Sequence, residues 1–241
     1  MKIIEVMKMI TLKHVLKMIE AASRDKCFCY VLGVLVGDGN VSFLHKRRTC
    51  GVIELNTTDK DFATIFYYAV RKWTGKAPKF YRSFRRVFGR YYSYYDVRLN
   101  DTSLVRFLLR IGKYHTRDWI IPEIVRESPS AFLKGFFDSE GDVTLYLKHS
   151  SYRYPCVRAS SVNKEGILQI QQLLQNLKIT SSLFEEHLKR PKGYTFYRIR
   201  IKGVKPILRF CEKVGFLLPS KINKLHNLMN QLGIPQPYFS F

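Results

Sequence analysis

The sequence predicts an α+β protein made of one unit used twice, each copy running helix, strand, strand, helix, strand, strand, helix. Three observations lead there. A short pattern recurs 102 positions on, VLGVLVGDG at 31–39 returning as LKGFFDSEG at 133–141. The same succession of strand and helix signals follows each copy. At 241 residues and 28.4 kDa, the chain can bury one large core or two small ones.

In the first unit an apolar helical stretch at 26–37 ends in an acidic residue and a glycine, then gives way to strand alternation at 40–46. A strand at 51–57 precedes ELNTTDKDFATIFYYAV's polar helix start, which sets a helix at 60–73. Strands at 79–87 and 91–99 and a helix at 103–111 complete the unit. The second unit repeats these elements at 130–139, 142–148, 156–161, 164–177, 182–189, 195–201 and 204–214. There ASSVNKEGILQIQQLLQNL answers the first strand–helix run, and GYTFYRIRIKGVKPILRFCEKVG answers YYSYYDVRLNDTSLVRFLLRIG. We divide the chain into a first half at 1–118, a connector at 119–129 and a second half at 130–241. The first half opens with an amphipathic helix carrying Ile3, Val6, Met7, Ile10, Leu12, Val15, Leu16 and Ile19. The connector holds Pro122 and Pro129, the latter fitting a helix start, and a terminal helix closes at Gly233.

Composition narrows the function. Forty-one Lys plus Arg against nineteen Asp plus Glu leave a net charge of +22 and a pI near 9.9. Such self-repulsion is relieved by a bound polyanion. With 46% hydrophobic residues, 14 Gly and 9 Pro, the chain is neither disordered nor collagen-like. No 18-residue apolar run or secretory core is present, so no membrane partner is expected. Five cysteines lack zinc-ligand spacing and read as buried thiols in a reducing compartment: prokaryotic cytoplasm, nucleoid or an organelle.

The basic residues fall at matching places in both halves. Lys79, Arg82, Arg85, Arg86 and Arg90 lie on a strand pair and its turn, and Lys189, Arg190 and Lys192 at the corresponding turn of the second half. Lys46, Arg47 and Arg48 occupy another hairpin loop, with Arg153 at its counterpart, and Arg158 on the strand that follows is a further DNA-binding candidate. Alternation turns Val97 and Leu99 inward and Asp96 and Arg98 outward. It likewise sets Val143, Leu145 and Leu147 against Thr144, Tyr146 and Lys148, and Tyr197, Ile199 and Ile201 against Arg198 and Arg200. Arginine suits guanine edges, and both basic side chains suit phosphates.

Gly33 and Gly37 sit one helical turn apart, as do Gly135 and Ser139, so each pair marks one face where another backbone can approach. If the two helices pack on those faces, Asp38 and Glu140 meet at their C-termini. Two carboxylates there oppose both helix dipoles and each other, and a divalent metal such as Mg²⁺ would neutralise them.

VLGVLVGDG and LKGFFDSEG resemble the paired signature of the LAGLIDADG homing endonucleases, in the single-chain, double-motif form, from about Arg24 onward. The resemblance implies that family's fold: two pseudo-symmetric αββαββα units whose antiparallel sheets form a DNA-binding saddle. It implies metal ligation by Asp38 and Glu140 with the carbonyls of Gly37 and Ser139. Asp59 and Asn163 would organise water, and Lys205 would lie beside the cleaved phosphate. Ser103 stands where the first half would carry the equivalent of Lys205, with Arg98 and Arg106 as substitutes. The expected activity is Mg²⁺-dependent hydrolysis of both DNA strands, leaving short 3′ overhangs on a long asymmetric target. Mn²⁺ would substitute, and Ca²⁺ would support binding with little cleavage. The chain would act as a monomer without an obligate protein partner, as a free-standing intron-encoded product rather than an intein. Rival readings are an intron RNA maturase and a non-cleaving nucleic-acid binder.

Overall fold

The molecule is organised around two buried helices that lead into two sheets of identical strand order. The computed structural model describes residues 11–44, 49–87, 89–148, 152–187, 193 and 195–234. Helix α1 (Leu12–Ala21) turns Val15 and Ile19 inward, and Ile3, Val6, Met7 and Ile10 lie outside the described residues. Helix α2 (Arg24–Val36) starts at Ser23, whose hydroxyl accepts the Lys26 N–H, and every residue from Cys27 to Val36 is buried. A helix apolar on all sides belongs inside a protein.

The first sheet comprises β1 (Gly39–Phe43), β2 (Gly51–Thr57), β3 (Lys79–Val87) and β4 (Arg90–Asn100) in the order β1-β2-β4-β3, all antiparallel. Helix α3 (Lys60–Thr74) joins β2 to β3 and stops at Gly75 with φ of 72°. Helix α4 (Thr102–Ile111) follows β4. A 3₁₀ turn at Glu123–Glu127 then leads into α5 (Pro129–Glu140), with Pro129 in its first turn.

The second sheet repeats the arrangement with β5 (Gly141–Lys148), β6 (Tyr152–Ser161), β7 (Ser182–His187) and β8 (Thr195–Lys202) in the order β5-β6-β8-β7. Helix α6 (Lys164–Asn176) joins β6 to β7, and α7 (Val204–Lys213) follows β8. Helix α8 (Pro219–Gln231) ends where Gly233, at φ of 64°, lets the Ile234 N–H reach the Met229 carbonyl.

Inward rows such as Ile53–Leu99, Leu55–Val97, Val157–Ile201 and Ala159–Ile199 join α2 and α5 in one continuous core. The connector is fastened to the second unit. Trp119 is fully buried 5.8 Å from Phe136, its carbonyl accepts the Asn163 side-chain amide at 2.6 Å, and Gly166 leaves room for its ring.

Strand β6 begins at Tyr152, ahead of the position expected from Cys156, and so contains Pro155. A proline lacks the N–H that a central strand requires. Pro155 faces Leu145 of β5, while pairing with β8 starts only at Cys156, so the missing donor disturbs no ladder on that side. No described helix is long and apolar enough to cross a membrane. All five thiols are free. Cys27, Cys29, Cys156 and Cys211 are buried, and burial pushes Cys29 and Cys211 up to about 12.

Candidate active site and nucleic-acid interface

Helices α2 and α5 cross with their backbones in contact. A Cβ on Gly33 would lie 2.0 Å from the Phe132 carbonyl oxygen, and one on Gly135 would lie 2.1 Å from that of Tyr30. Only glycine fits either place. One turn further on, a Cβ on Gly37 would lie 2.5 Å from Ser139 Cβ and 3.3 Å from Glu140 Cγ. The crossing thus carries the ends of both helices, with Asp38 and Glu140, to one place.

The charges feel each other there. Burial first, then the neighbouring Asp38 charge, pushes Glu140 up to about 7, while Lys221 pulls it down. Burial also raises Asp38, again against Lys221. Asp38 is the more exposed of the two, and Glu140 is half-buried. Among the described residues no cluster of three or more His, Cys, Asp or Glu forms a ready-made metal cage. A two-carboxylate site with nearby carbonyls nevertheless suits a hard divalent cation that completes its shell with water and phosphate oxygens. The chemistry of this donor set therefore fits Mg²⁺, Mn²⁺ or Ca²⁺.

Lys221, in the first turn of α8, serves the site in a way the sequence did not reveal. Its Nζ donates to the carbonyls of Phe137 (2.9 Å), Asp138 (2.5 Å) and Ser139 (3.2 Å), capping α5 while facing both carboxylates. Burial lowers its pKa against the upward pull of Asp138, Asp38, Glu140 and Asp142. Behind it, the fully buried Asp138 accepts the Tyr30 hydroxyl at 2.9 Å and the Leu217 and Leu218 N–H groups, holding the turn that delivers Lys221. Burial raises Asp138 to about 6 despite Lys221 and these hydrogen bonds.

Lys205 is not brought to the pair. It lies exposed at the start of α7 beside Lys178, Thr180 and Arg209, because the helix turns its inner face, with Ile207 and Phe210, toward the core. The described hydrogen bonds of Asp59 and Asn163 are those of helix caps. Asp59 accepts the Asp61 and Phe62 N–H groups, and Asn163 accepts the Gly166 N–H while donating to Trp119. The Ser139 carbonyl, a candidate ligand, already accepts from Lys221. Neither substitute for a cation at Ser103 stands beside the carboxylates as a free charge: Arg98 is bound to Glu54, and Arg106 is exposed on α4.

Across the outward faces, the row nearest the carboxylates has the same plan in both halves. In the first, Arg98 donates through two nitrogens to one Glu54 oxygen (3.0 and 2.7 Å), and Asn40 donates to the other at 2.9 Å. In the second, Arg158 holds one Asp142 oxygen (3.2 and 2.8 Å) and Lys224 the other at 2.9 Å. Those donors hold Asp142 below the usual carboxylate range although burial pushes it up. The acid stands on β2 in one half and on β5 in the other. Arg200, opposite Arg158 in that row, shares Glu186 with Arg198, and further out in the first half Arg85 pairs with Asp96. Tyr146 stacks on Tyr154 at 5.2 Å with Lys202 over its ring.

Strand register divides the other basic candidates. Lys79, Arg85, Arg90 and Arg98 share the outward face with Asp96, whereas Arg82 and Arg86 fall on the opposite face with Phe84 and Tyr91. Lys148 and Arg153 occupy the β5–β6 ladder near its turn. Lys46, Arg47, Arg48, Lys189, Arg190 and Lys192 lie outside the described residues.

Comparison with known proteins agrees with this architecture. A family model described as a LAGLIDADG-like domain matches residues 127–215. A DNA polymerase of Thermococcus hydrothermalis is 30% identical over 204 residues, 81% of this chain, which spans only 11% of that polymerase. The homing endonuclease I-ApeI of Aeropyrum pernix is 25% identical over 158 residues, covering 59% of this chain and 63% of that protein. The structure of I-DmoI in complex with DNA and Mn superposes with a TM-score of 0.51 at 14% identity, over 80% of this chain and 98% of that one. The last likeness is one of fold. With both signature helices in place and both sheets in the saddle order, the chain has the LAGLIDADG homing-endonuclease fold, carrying the two halves on a single polypeptide.

Proposed function

We propose that this protein is a divalent-metal-dependent endonuclease that hydrolyses both strands of a long, asymmetric DNA duplex as a monomer, leaving short 3′ overhangs. The observation that carries the proposal is the meeting of Asp38 and Glu140 at the crossing helix ends. A helix interface needs no such pair of like charges, and the site holds Glu140's pKa near 7. Asp38 and Glu140, with the Gly37 and Ser139 carbonyls beside them, would hold Mg²⁺ or Mn²⁺, and Ca²⁺ would support binding with little cleavage. A metal bound there supplies a polarised water and neutralises charge on the phosphate. Lys221 places a positive charge toward the same phosphate, and the paired arginines of the two sheets present oriented N–H groups to base edges and backbone.

Asp38→Asn and Glu140→Gln keep shape and remove charge. Each is expected to lower single-turnover cleavage of both labelled strands by roughly 100-fold or more, a loss of about 2.7 kcal/mol. Affinity for the same duplex in Ca²⁺ should stay within a few fold. Cleavage at the parental rate by a folded Asp38→Asn variant would remove the catalytic assignment. Duplex binding by a parental protein that never cuts would leave the non-cleaving role.

A further inference from the structure

Toward its tip, the β3–β4 hairpin is exposed on both faces. The outward face carries Arg85 and Asp96 and belongs to the saddle. The opposite face presents Phe80, Arg82, Phe84, Arg86, Tyr91 and Tyr95, brought together by the Phe80–Val97, Arg82–Tyr95, Phe84–Ser93 and Arg86–Tyr91 register. Phe84 is 63% and Tyr91 73% exposed. The arginines are ordered among the rings. The Arg82 guanidinium lies 4.8 Å from the centre of Phe84 and 5.9 Å from that of Tyr95, with its Nε donating to Ser93 at 2.6 Å. The Arg86 guanidinium lies 6.0 Å from Tyr91.

The fold does not require this surface. Lys79–Arg98 in the first sheet corresponds to Ser182–Arg200 in the second, so the places of Phe80, Arg82 and Phe84 are taken there by Leu183, Glu185 and His187. One half has arginine where the other has glutamate, and a bare ring where the other has an imidazole. Large exposed rings interleaved with guanidinium groups suit flat, unpaired bases joined by phosphates. Duplex DNA hides its base faces, and a second copy of this chain would set Arg82 and Arg86 against their own kind. We propose that this face binds an unpaired nucleic-acid strand, its bases stacked on Phe84 and Tyr91 and its phosphates held by Arg82 and Arg86, while the saddle remains free for duplex. Stacking and phosphate contacts are indifferent to the sugar, so RNA and DNA strands should both bind.

The test uses the full chain and three fluorescent probes: oligo(U) and oligo(dT) of about 12 nucleotides, and a duplex of about 30 base pairs, at one salt concentration. Phe84→Ala/Tyr91→Ala should weaken both single strands roughly tenfold or more and leave duplex affinity and melting temperature unchanged. Arg98→Ala/Arg200→Ala should weaken duplex and spare the single strands. Parental single-strand affinity in the Phe84/Tyr91 variant would overturn the proposal, as would equal loss of single strands in the saddle variant. A dimer in sedimentation that the Phe84/Tyr91 variant dissolves, without single-strand binding by the parent, would assign the face to a second copy instead. None of these readouts depends on cleavage, so failure of the nuclease reading would show separately.

Discussion

A cation in the first turn of a helix opposes the helix dipole by about 0.3–1 kcal/mol, yet Lys221 occupies that place in α8. The structure accounts for it, because the same ammonium caps the C-terminal carbonyls of α5 and faces two carboxylates. Lys221→Met should slow single-turnover cleavage by roughly 10- to 100-fold with little change in duplex affinity, whereas Lys205→Met should cut at the parental rate. Glu140 yields a second expectation, about stability. Its folded pKa of about 7 exceeds the ordinary 4.5, so between those values the folded state holds more protons than the unfolded one. Its stabilising contribution is complete below pH 4.5 and is lost as pH rises through 7. Glu140→Gln should therefore melt higher than the parent at pH 8, by up to roughly 3 kcal/mol, and equally at pH 4. Ca²⁺ should raise the parent's melting temperature at pH 8 and leave that of the variant unmoved. Asp38 and Glu140 were legible in the sequence because each repeats the other. Lys221 has no repeat partner, and only its misfit with the local dipole marked it.

At the scale of elements, the small residues four apart identified the buried helices, and the period-2 pattern identified the strands. Neither could give the approach between α2 and α5, which rests on backbone atoms. Gly33→Ala or Gly135→Ala would put a methyl within about 2 Å of a carbonyl oxygen. Either should lower unfolding free energy in urea by at least about 2 kcal/mol. Gly75→Ala, which meets open space but has φ of 72°, should cost only about 1 kcal/mol. Other misreadings have equally local causes. KFYRSFRR is polar or aromatic on both sides, so alternation put Arg82 and Arg86 opposite Arg85 without saying which of the two faces joins the outward face of Asp96. Pro155 discouraged extending β6, because only the staggered start of β8 shows that its missing N–H is harmless.

For the whole molecule, a charge of +22 must show itself in solution. Duplex affinity should fall steeply between about 50 and 200 mM salt, as counterions leave the phosphates. A flat response would contradict a phosphate-dominated interface. Sedimentation should give one chain mass, free or on one duplex, because each half already supplies a sheet and a carboxylate. The scaffold's two-fold relation stops short of its chemistry: one lysine serves two carboxylates, and the acid that steadies the nearest arginine stands on β2 in one half and β5 in the other. The molecule therefore has a heading. A duplex lying in the saddle meets a bow and a stern, and turning it end for end exchanges which strand passes beneath each, so reversing a target's orientation presents the protein with a different object.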